Sequence, residues 1–280
     1  MTKTIDTLVD DIFNVVTGDH EFNPENVKTF GERLANGIKE KLSRERTDPK
    51  LWMSNIGQPC ERKLWYTINK PELAEPLPKE VYIKFLFGDI LEELLLFLAK
   101  EAGHKVEGEQ ERITIQDVSG RRDAIIDGVT VDVKSCSSRA FDKFKHGLTT
   151  DDDDFGYLTQ LNMYLYASRN DPRITEKDIS AFLAIDKTLG HICLDKQPRD
   201  FKDYDEEVKH KKEIVSRQEA PERAFQDKEE GKSGNRKLAS PCSYCPFKQI
   251  CWPGLRTFIY SNGPTFLTKV KKLPKVPEVT

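Results

Sequence analysis

Two stretches carry residues whose types and spacing can do chemistry. The first, Asp127–Ser135, reads DGVTVDVKS and sets Asp132 and Lys134 two positions apart in a run that otherwise has the character of a buried strand. Asp127-Gly128 is a two-residue hairpin signal, because a type I′ turn needs positive φ at both central positions. Taken literally, it pairs Ile126 with Val129, Ile125 with Thr130, Ala124 with Val131 and Asp123 with Asp132. Two carboxylates then face each other with Cβ atoms roughly 5 Å apart, and Lys134 projects on the same face. Ala124, Ile126, Val129, Val131 and Val133 form the opposite, core-facing side. Like charges opposed across strands destabilise a sheet. A divalent cation is the simplest compensation, since hard cations take oxygen ligands. A lysine beside it can hold an attacking water or stabilise developing negative charge, which is what metal-assisted phosphodiester hydrolysis requires. On its own, D-x-K also describes a surface hairpin with a Lys–Asp pair.

The second stretch, CSYCPFKQIC, places Cys242, Cys245 and Cys251 at C-x2-C-x5-C, and Cys60, in PCERKLWY, can supply a fourth thiolate. Four thiolates suit a [4Fe–4S] cluster or a tetrahedral Zn2+. Cys136 and Cys193 fall inside the apolar runs and read as small apolar side chains. Asp151–Asp154 read as a loop entering a helix, whose N-terminus favours acidic residues. The five histidines show no ligand spacing.

The elements that must position these residues follow from periodicity. Residues 1–45 carry helical patterning, first over Ile5, Leu8, Val9, Ile12, Val15 and Val16, then over Val27, Phe30, Leu34 and Ile38, with Pro24 near a helix start. The run VYIKFLFGDILEELLLFLAKEAGHK reads as a helix with Leu91, Leu94, Leu95 and Leu98 on one face and Gly103 as its C-cap. From Lys105 to Lys134 the period becomes two, over ERITIQD, RRDAIID and VTVDVKS. Residues 155–168 read as helix, DISAFLAIDK and GHICLD as strands, 200–230 as one or more charged helices, and EGKSGNRK as a polar loop. This order implies an α/β or α+β fold, a small mixed sheet flanked by helices. We expect three regions: a helical one at 1–80 with Cys60, a core at 81–195, and at 196–280 a helical region with the cysteine segment and a basic tail.

At this point the sequence resembles the PD-(D/E)xK nucleases. GRRD followed by DVK has the layout of their core, with Arg122 where the nominal proline stands. The resemblance implies two further elements. One is an acidic or His residue four after a Gly on an upstream helix; GDILEE supplies Gly88 and Glu92, with Glu93 the rival if the register shifts by one. The other is Q-x-x-x-Y on the helix after the D-x-K strand; QLNMY supplies Gln160 and Tyr164, which share a helix face. One cysteine before the core and three after it resemble the iron–sulfur clasp of RecB-like nucleases, including the CRISPR-associated RecB-like exonucleases. The resemblance spans roughly residues 52–256.

What it implies is a restriction-endonuclease-like core with a four-cysteine clasp. Glu92, Asp123 and Asp132, with the Val133 carbonyl, would hold Mg2+, with Mn2+ as a substitute. Lys134 would position water, Gln160 would support the site, and Tyr164 would touch the DNA strand. Cys60, Cys242, Cys245 and Cys251 would hold a structural [4Fe–4S] cluster, with Zn2+ the alternative. The implied reaction is exonucleolytic hydrolysis from ends of single-stranded DNA, leaving 5′-phosphates, in recombination, repair or phage replication. A structure-specific or nicking endonuclease and a non-catalytic DNA-binding subunit are the alternatives.

The chain has 280 residues, enough for a substantial core. With 44 basic and 47 acidic residues its net charge of −3 does not advertise nucleic-acid binding, so local charge matters more. Arg62 and Lys63 beside the first cysteine, and Arg139, Lys143 and Lys145 after the D-x-K strand, could line a backbone path together with the basic tail. No apolar run approaches a membrane span, and the acidic N-terminus lacks the basic start of a secretion signal. We therefore expect a cytoplasmic protein with no membrane partner, acting on DNA, open to oligomerisation and to a helicase, recombinase or single-strand-binding partner.

Overall fold

The computed structural model describes residues 3–43 and 49–279. After a short 3-10 turn at Ile5–Thr7 come α1 (Leu8–Thr17), α2 (Pro24–Ser43), α3 (Met53–Ile56), α4 (Glu61–Asn69) and α5 (Lys79–Glu101). Strands β1 (Val106–Glu107), β2 (Glu111–Ile115), β3 (Val118–Arg122), β4 (Ala124–Ile126) and β5 (Val129–Cys136) follow, then α6 (Ser138–Lys145) and α7 (Tyr157–Ala167). Next are β6 (Ile179–Asp186), β7 (Ile192–Pro198) and α8 (Tyr204–Ser216). The chain ends with β8 (Lys228–Glu230), β9 (Asn235–Lys237), the single-turn helices α9 (Ser240–Ser243) and α10 (Lys248–Cys251), β10 (Arg256–Tyr260), β11 (Gly263–Lys269) and β12 (Glu278–Val279). The expected helix over 1–45 is α1 and α2; residues 44 and 45 lie outside the described residues.

The central sheet has the order β1-β4-β5-β6-β7, with β5 and β6 parallel and the other neighbours antiparallel. Helices α1 and α5 cover one face and α6 and α7 the other, as a mixed sheet demands when both its faces are apolar. On the first face Leu8, Ile12, Leu95, Leu96 and Ala99 meet Ala124, Ile126, Val129, Val131 and Leu183, all essentially inaccessible to water. On the second, Phe141, Phe144 and Leu161 pack on Phe182 and Ala184. The expected mixed sheet flanked by helices is what the chain forms.

Helix α5 stops where the sequence places its cap. Gly103 sits at φ +83°, its N–H bonds Lys100 O at 2.9 Å and the His104 N–H bonds Ala99 O at 3.0 Å. These two bonds define a Schellman ending, which favours glycine at the left-handed position.

The C-terminal third departs from the expectation of a helical region with a basic tail. Only α8 is a helix of more than one turn there, and residues 228–279 form an antiparallel sheet of order β12-β10-β11-β9-β8. The stretch expected as a polar loop is the β8–β9 hairpin, which closes Glu230 onto Asn235. Arg256, counted with the tail, is ion-paired to Glu278 across this sheet at 2.6 Å. The physical reason is a hairpin in the uncharged run 257–268, where Tyr260 and Gly263 close a turn over Ser261 and Asn262.

Candidate active site and cysteine cavity

The Asp127-Gly128 turn forms as its residue types dictate, with φ +48° and +82°. Ladder pairs Ile126–Val129, Ile125–Thr130 and Ala124–Val131 follow. The regular ladder stops there: Asp123 belongs to neither neighbouring strand. It is the joint between β3, which pairs with β2 in a separate two-stranded sheet, and β4 in the central sheet. Arg122 and Ala124 on either side are both fully buried. The Asp123 side chain reaches β5, where its Oδ2 accepts a 2.7 Å hydrogen bond from the Val133 N–H. The side chain of Val133 itself lies in the core on the α1–α5 side.

Arg122 locks the joint. Its guanidinium meets Glu111 at 3.0 Å and Asp171 at 3.3 Å and donates to Ser168 Oγ at 2.9 Å. Arg173 reinforces this cluster, and its hydrogen bonds hold the Asp171 carboxyl well below the usual carboxylate range. The position named for proline in the motif is thus occupied by a buried cation with three partners.

Glu92, on α5, faces the joint. Gln110 Nε2 donates to Glu92 Oε1 and lies 3.4 Å from Asp123 Oδ1, so one amide bridges two of the acids. Glu93, the rival, turns the other way and pairs with Arg33 of α2 at 2.8 Å. Asp132 is buried and Lys134 Nζ lies against its Oδ2 as an ion pair. The Lys134 ammonium also sits 4.8 Å from the Tyr157 ring centroid. Across the site Gln160 Nε2 donates to Tyr164 Oη at 2.8 Å. The sequence-selected residues Glu92, Asp123, Asp132, Lys134, Gln160 and Tyr164 therefore line one region of the molecule.

Their electrostatics follow from crowding. Burial, with the charges of Glu93 and Asp132, pushes Glu92 up to about 7. Burial, then Glu92 and Asp132, raises Asp123 well above the carboxylate range. Desolvation opposes the charge on Lys134, but Asp132 and Asp123 outweigh it and raise its pKa above the usual ammonium value. Burial likewise raises the Tyr164 phenol, with Asp132 adding to the effect. Two acids driven toward their neutral forms beside a fixed cation make a site that gains from further positive charge. Among the described residues no group of three or more His, Cys, Asp or Glu converges tightly enough to grip one ion as it stands. The donor set nevertheless fits a hard cation, with three carboxylates and no soft ligand.

Helix α7 is set by two contacts. Asp153 caps it, accepting from Gly156 N, Tyr157 N and Leu158 N at 2.8 to 2.9 Å, so one member of the four-aspartate loop has an assigned structural part. Gly156 has φ +80°, and a Cβ there would land on the carbonyl oxygen of Gly57. The reverse contact, a Cβ on Gly57, would lie 2.6 Å from Gly156 O. The backbones of α7 and the segment leading to Cys60 therefore touch directly.

Cys60, Cys242, Cys245 and Cys251 line one cavity of about 220 Å3, across up to 191 residues of chain. Cys60 caps α4, its sulfur accepting from Lys63 N at 3.4 Å. Arg62 donates to Cys251 Sγ at 3.3 Å and to Pro221 O at 2.6 Å. Arg62 and Lys63, expected on a DNA path, thus line the cysteine cavity instead, because α4 turns its first residues toward the sulfurs. Burial and the neighbouring sulfurs push Cys242 up to about 11. Cys136 and Cys193 pack in the apolar layer under α6. Arg139 is exposed on α6, and Lys143 donates to Asp152 O at 2.6 Å.

Gln110 and Arg122 were not singled out as site residues from sequence. Gln110 lies in a loop with φ +55° and has no motif signal; Arg122 was identified only by position.

No curated protein matches the chain. Among solved structures, the crystal structure of SSO0001 aligns with a TM-score of 0.43 at 18% identity, over 80% of this chain and 96% of that one. The model of the PD-(D/E)XK nuclease superfamily matches residues 8–252. That match runs from the first helix past the last cysteine, and the chain belongs to the PD-(D/E)XK nuclease superfamily.

Proposed function

We propose that the protein is a divalent-cation-dependent deoxyribonuclease, acting by preference as an exonuclease on single strands or DNA ends in recombination, repair or replication. The observation that carries this reading is the crowding of Glu92, Asp123 and Asp132 beside Lys134, which leaves two acids starved of positive charge. Mg2+ or Mn2+ held by these three carboxylates and the Val133 carbonyl would supply Lewis-acid polarisation of the scissile phosphate. The chain's own residues do the rest. Lys134 stays protonated at neutral pH, so it serves as a hydrogen-bond donor and fixed charge, not as the base. It orients the attacking water and meets the negative charge that builds on the phosphoryl oxygens. Attack at phosphorus forms the new P–O bond, breaks the P–O3′ bond in line, and leaves a 5′-phosphate and a 3′-hydroxyl. Gln110 fixes the carboxylates of Glu92 and Asp123 relative to each other, and Gln160 fixes the Tyr164 phenol.

The four cysteines are proposed to hold a structural [4Fe–4S] cluster. The reading rests on the resemblance in cysteine layout and on the four sulfurs lining one cavity; tetrahedral Zn2+ is the alternative. Arg62 and the Lys63 amide would then stabilise sulfur charge.

The test is cleavage of linear and closed circular DNA with Mg2+, Mn2+ or EDTA. We expect linear DNA to be degraded with metal, the closed circle to survive, and Asp132→Ala to lose at least about a thousandfold in rate while still binding DNA. Cutting of the closed circle would replace the exonuclease with an endonuclease. Equal cutting by Asp132→Ala would remove the site assignment.

A further inference from the structure

Beside the catalytic residues runs an open groove of about 930 Å3, lined by Trp52, Leu77, Tyr82, Arg112, Arg121 and Tyr164 among others. Two features set it apart from an ordinary surface cleft. The first turns of α5 are apolar but unpartnered: Tyr82, Ile83, Phe85 and Phe87 are each about half exposed, whereas the same helix from Leu95 onward is buried. The aromatic residues also stand among cations. Arg112 lies over the Trp52 ring at 5.9 Å and Lys50 at 4.2 Å. Arg112 is exposed and meets no carboxylate at ion-pair distance among the described residues. The far rim carries Glu72 and Glu75, but Glu75 is neutralised by Lys248.

The groove is continuous with the candidate active site. Tyr164 closes its inner end, and Gly120 makes room for that ring: a Cβ there would lie 2.8 Å from Tyr164 Cε1 and from Met53 Cβ. Arg121 lines both this groove and the adjoining pocket that contains Glu92 and Gln110. Its only ion-pair partner among the described residues is Glu40, at 3.3 Å on an exposed side chain, so it can be given up to a phosphate at little cost.

Flat rings at intervals with interleaved guanidinium groups are the chemistry that holds unpaired bases and their phosphates. A duplex cannot use the rings, because its bases face one another. We propose that this groove is a single-strand track, in which Trp52 and Tyr82 stack successive bases and Arg112 and Arg121 hold the backbone as it runs toward Tyr164. The proposal rests on the nuclease reading for its direction of travel, not for the binding itself.

The experiment is fluorescence anisotropy with a fluorescein-labelled 20-nucleotide oligothymidine and a blunt 20-base-pair duplex, using the full chain with Asp132→Asn so that neither probe is cut. Tyr82→Ala and Trp52→Ala each weaken oligothymidine binding roughly 5- to 100-fold, the value of one base–aromatic stack, with little change for duplex. Tyr82→Phe and Trp52→Phe bind like the parent. Arg112→Ala lowers the salt dependence of binding by about one ion. Tyr82 is half exposed, so Tyr82→Ala folds and carries the test even if Trp52→Ala does not. Parent-like oligothymidine binding by Tyr82→Ala, equal losses for duplex, or no single-strand binding by the parent would overturn the proposal. If the rings matter for binding but the protein with Asp132 intact cuts no DNA, the track stands and the nuclease reading falls. If DNA is cut but the rings are indifferent, the reverse holds.

Discussion

At the level of single residues, the site is built of charges that oppose the fold. Glu92 has a higher pKa folded, about 7, than its ordinary 4.5, so the folded chain binds more protons than the unfolded one between those values. Its contribution to stability therefore falls as pH rises from about 4.5 to about 7. Glu92→Gln removes this penalty. In EDTA at pH 8 we expect the variant to melt a few degrees above the parent, on the order of 1–3 kcal/mol, with the gap closing toward pH 5 and cleavage abolished at every pH. A melting curve for each protein at the two pH values is sufficient; a variant less stable than the parent at pH 8 would show that Glu92 is not under this strain. Arg122 behaves in the opposite sense. It pairs Glu111 and Asp171 from a fully buried position; both acids keep Arg173 as a partner, so Arg122→Ala costs chiefly the packing of a large buried side chain, about 2–4 kcal/mol in urea denaturation. Asp132, Lys134, Asp123 and Glu92 were legible from residue type, spacing and resemblance. Gln110 was not, because a side-chain amide acting across 13 residues of loop and strand to Asp123 leaves no periodic trace.

At the level of elements, local rules settle most of the chain. The hairpin at Asp127-Gly128, the cap at Gly103 and the helices α1, α5 and α7 form where periodicity and turn chemistry put them. The C-terminal sheet is hidden from a sequence reading because β8 and β9 are only three residues each and charged, and because β9 and β11 pair across the whole cysteine segment; long-range pairing has no short-range signature. Helix α7 yields a prediction at this scale. Gly156 combines a left-handed backbone with direct contact on Gly57, so Gly156→Ala adds strain and forces the two backbones apart. We expect a loss of more than about 2 kcal/mol, together with reduced cleavage, since Gln160 and Tyr164 ride on this helix. Asp153→Ala, which removes only the cap, should cost about 0.5–2 kcal/mol and leave cleavage largely intact. Chemical denaturation followed by a nuclease assay separates the two.

Over the whole molecule, residues around 60 and around 245 are gathered at one cavity, closing a loop that contains the entire central sheet. A cluster there would fasten both ends of the fold and contribute directly to its stability. We expect protein purified without oxygen to be brown, with absorbance near ~400 nm, and Cys60→Ala to be colourless and easier to unfold. A colourless parent with one equivalent of zinc would replace the cluster by zinc without altering the catalytic proposal. From sequence, the C-x2-C-x5-C spacing was plain, whereas the partner Cys60 could be chosen only by resemblance; that the fold brings it to the same cavity is a fact of tertiary structure. No described helix is long and apolar enough to cross a membrane.

The joint at Asp123 constrains how such a chain can change in length. One residue hands the backbone from one sheet to another while Arg122 and Ala124 are both sealed inside. Adding or deleting a single residue between 121 and 125 would rotate every following side chain of β4 to the wrong face, exchanging core for carboxylate. The irregular stretch 217–227 has no such register to lose, so a scan of one-residue insertions should find function erased abruptly around position 123 and retained within 217–227.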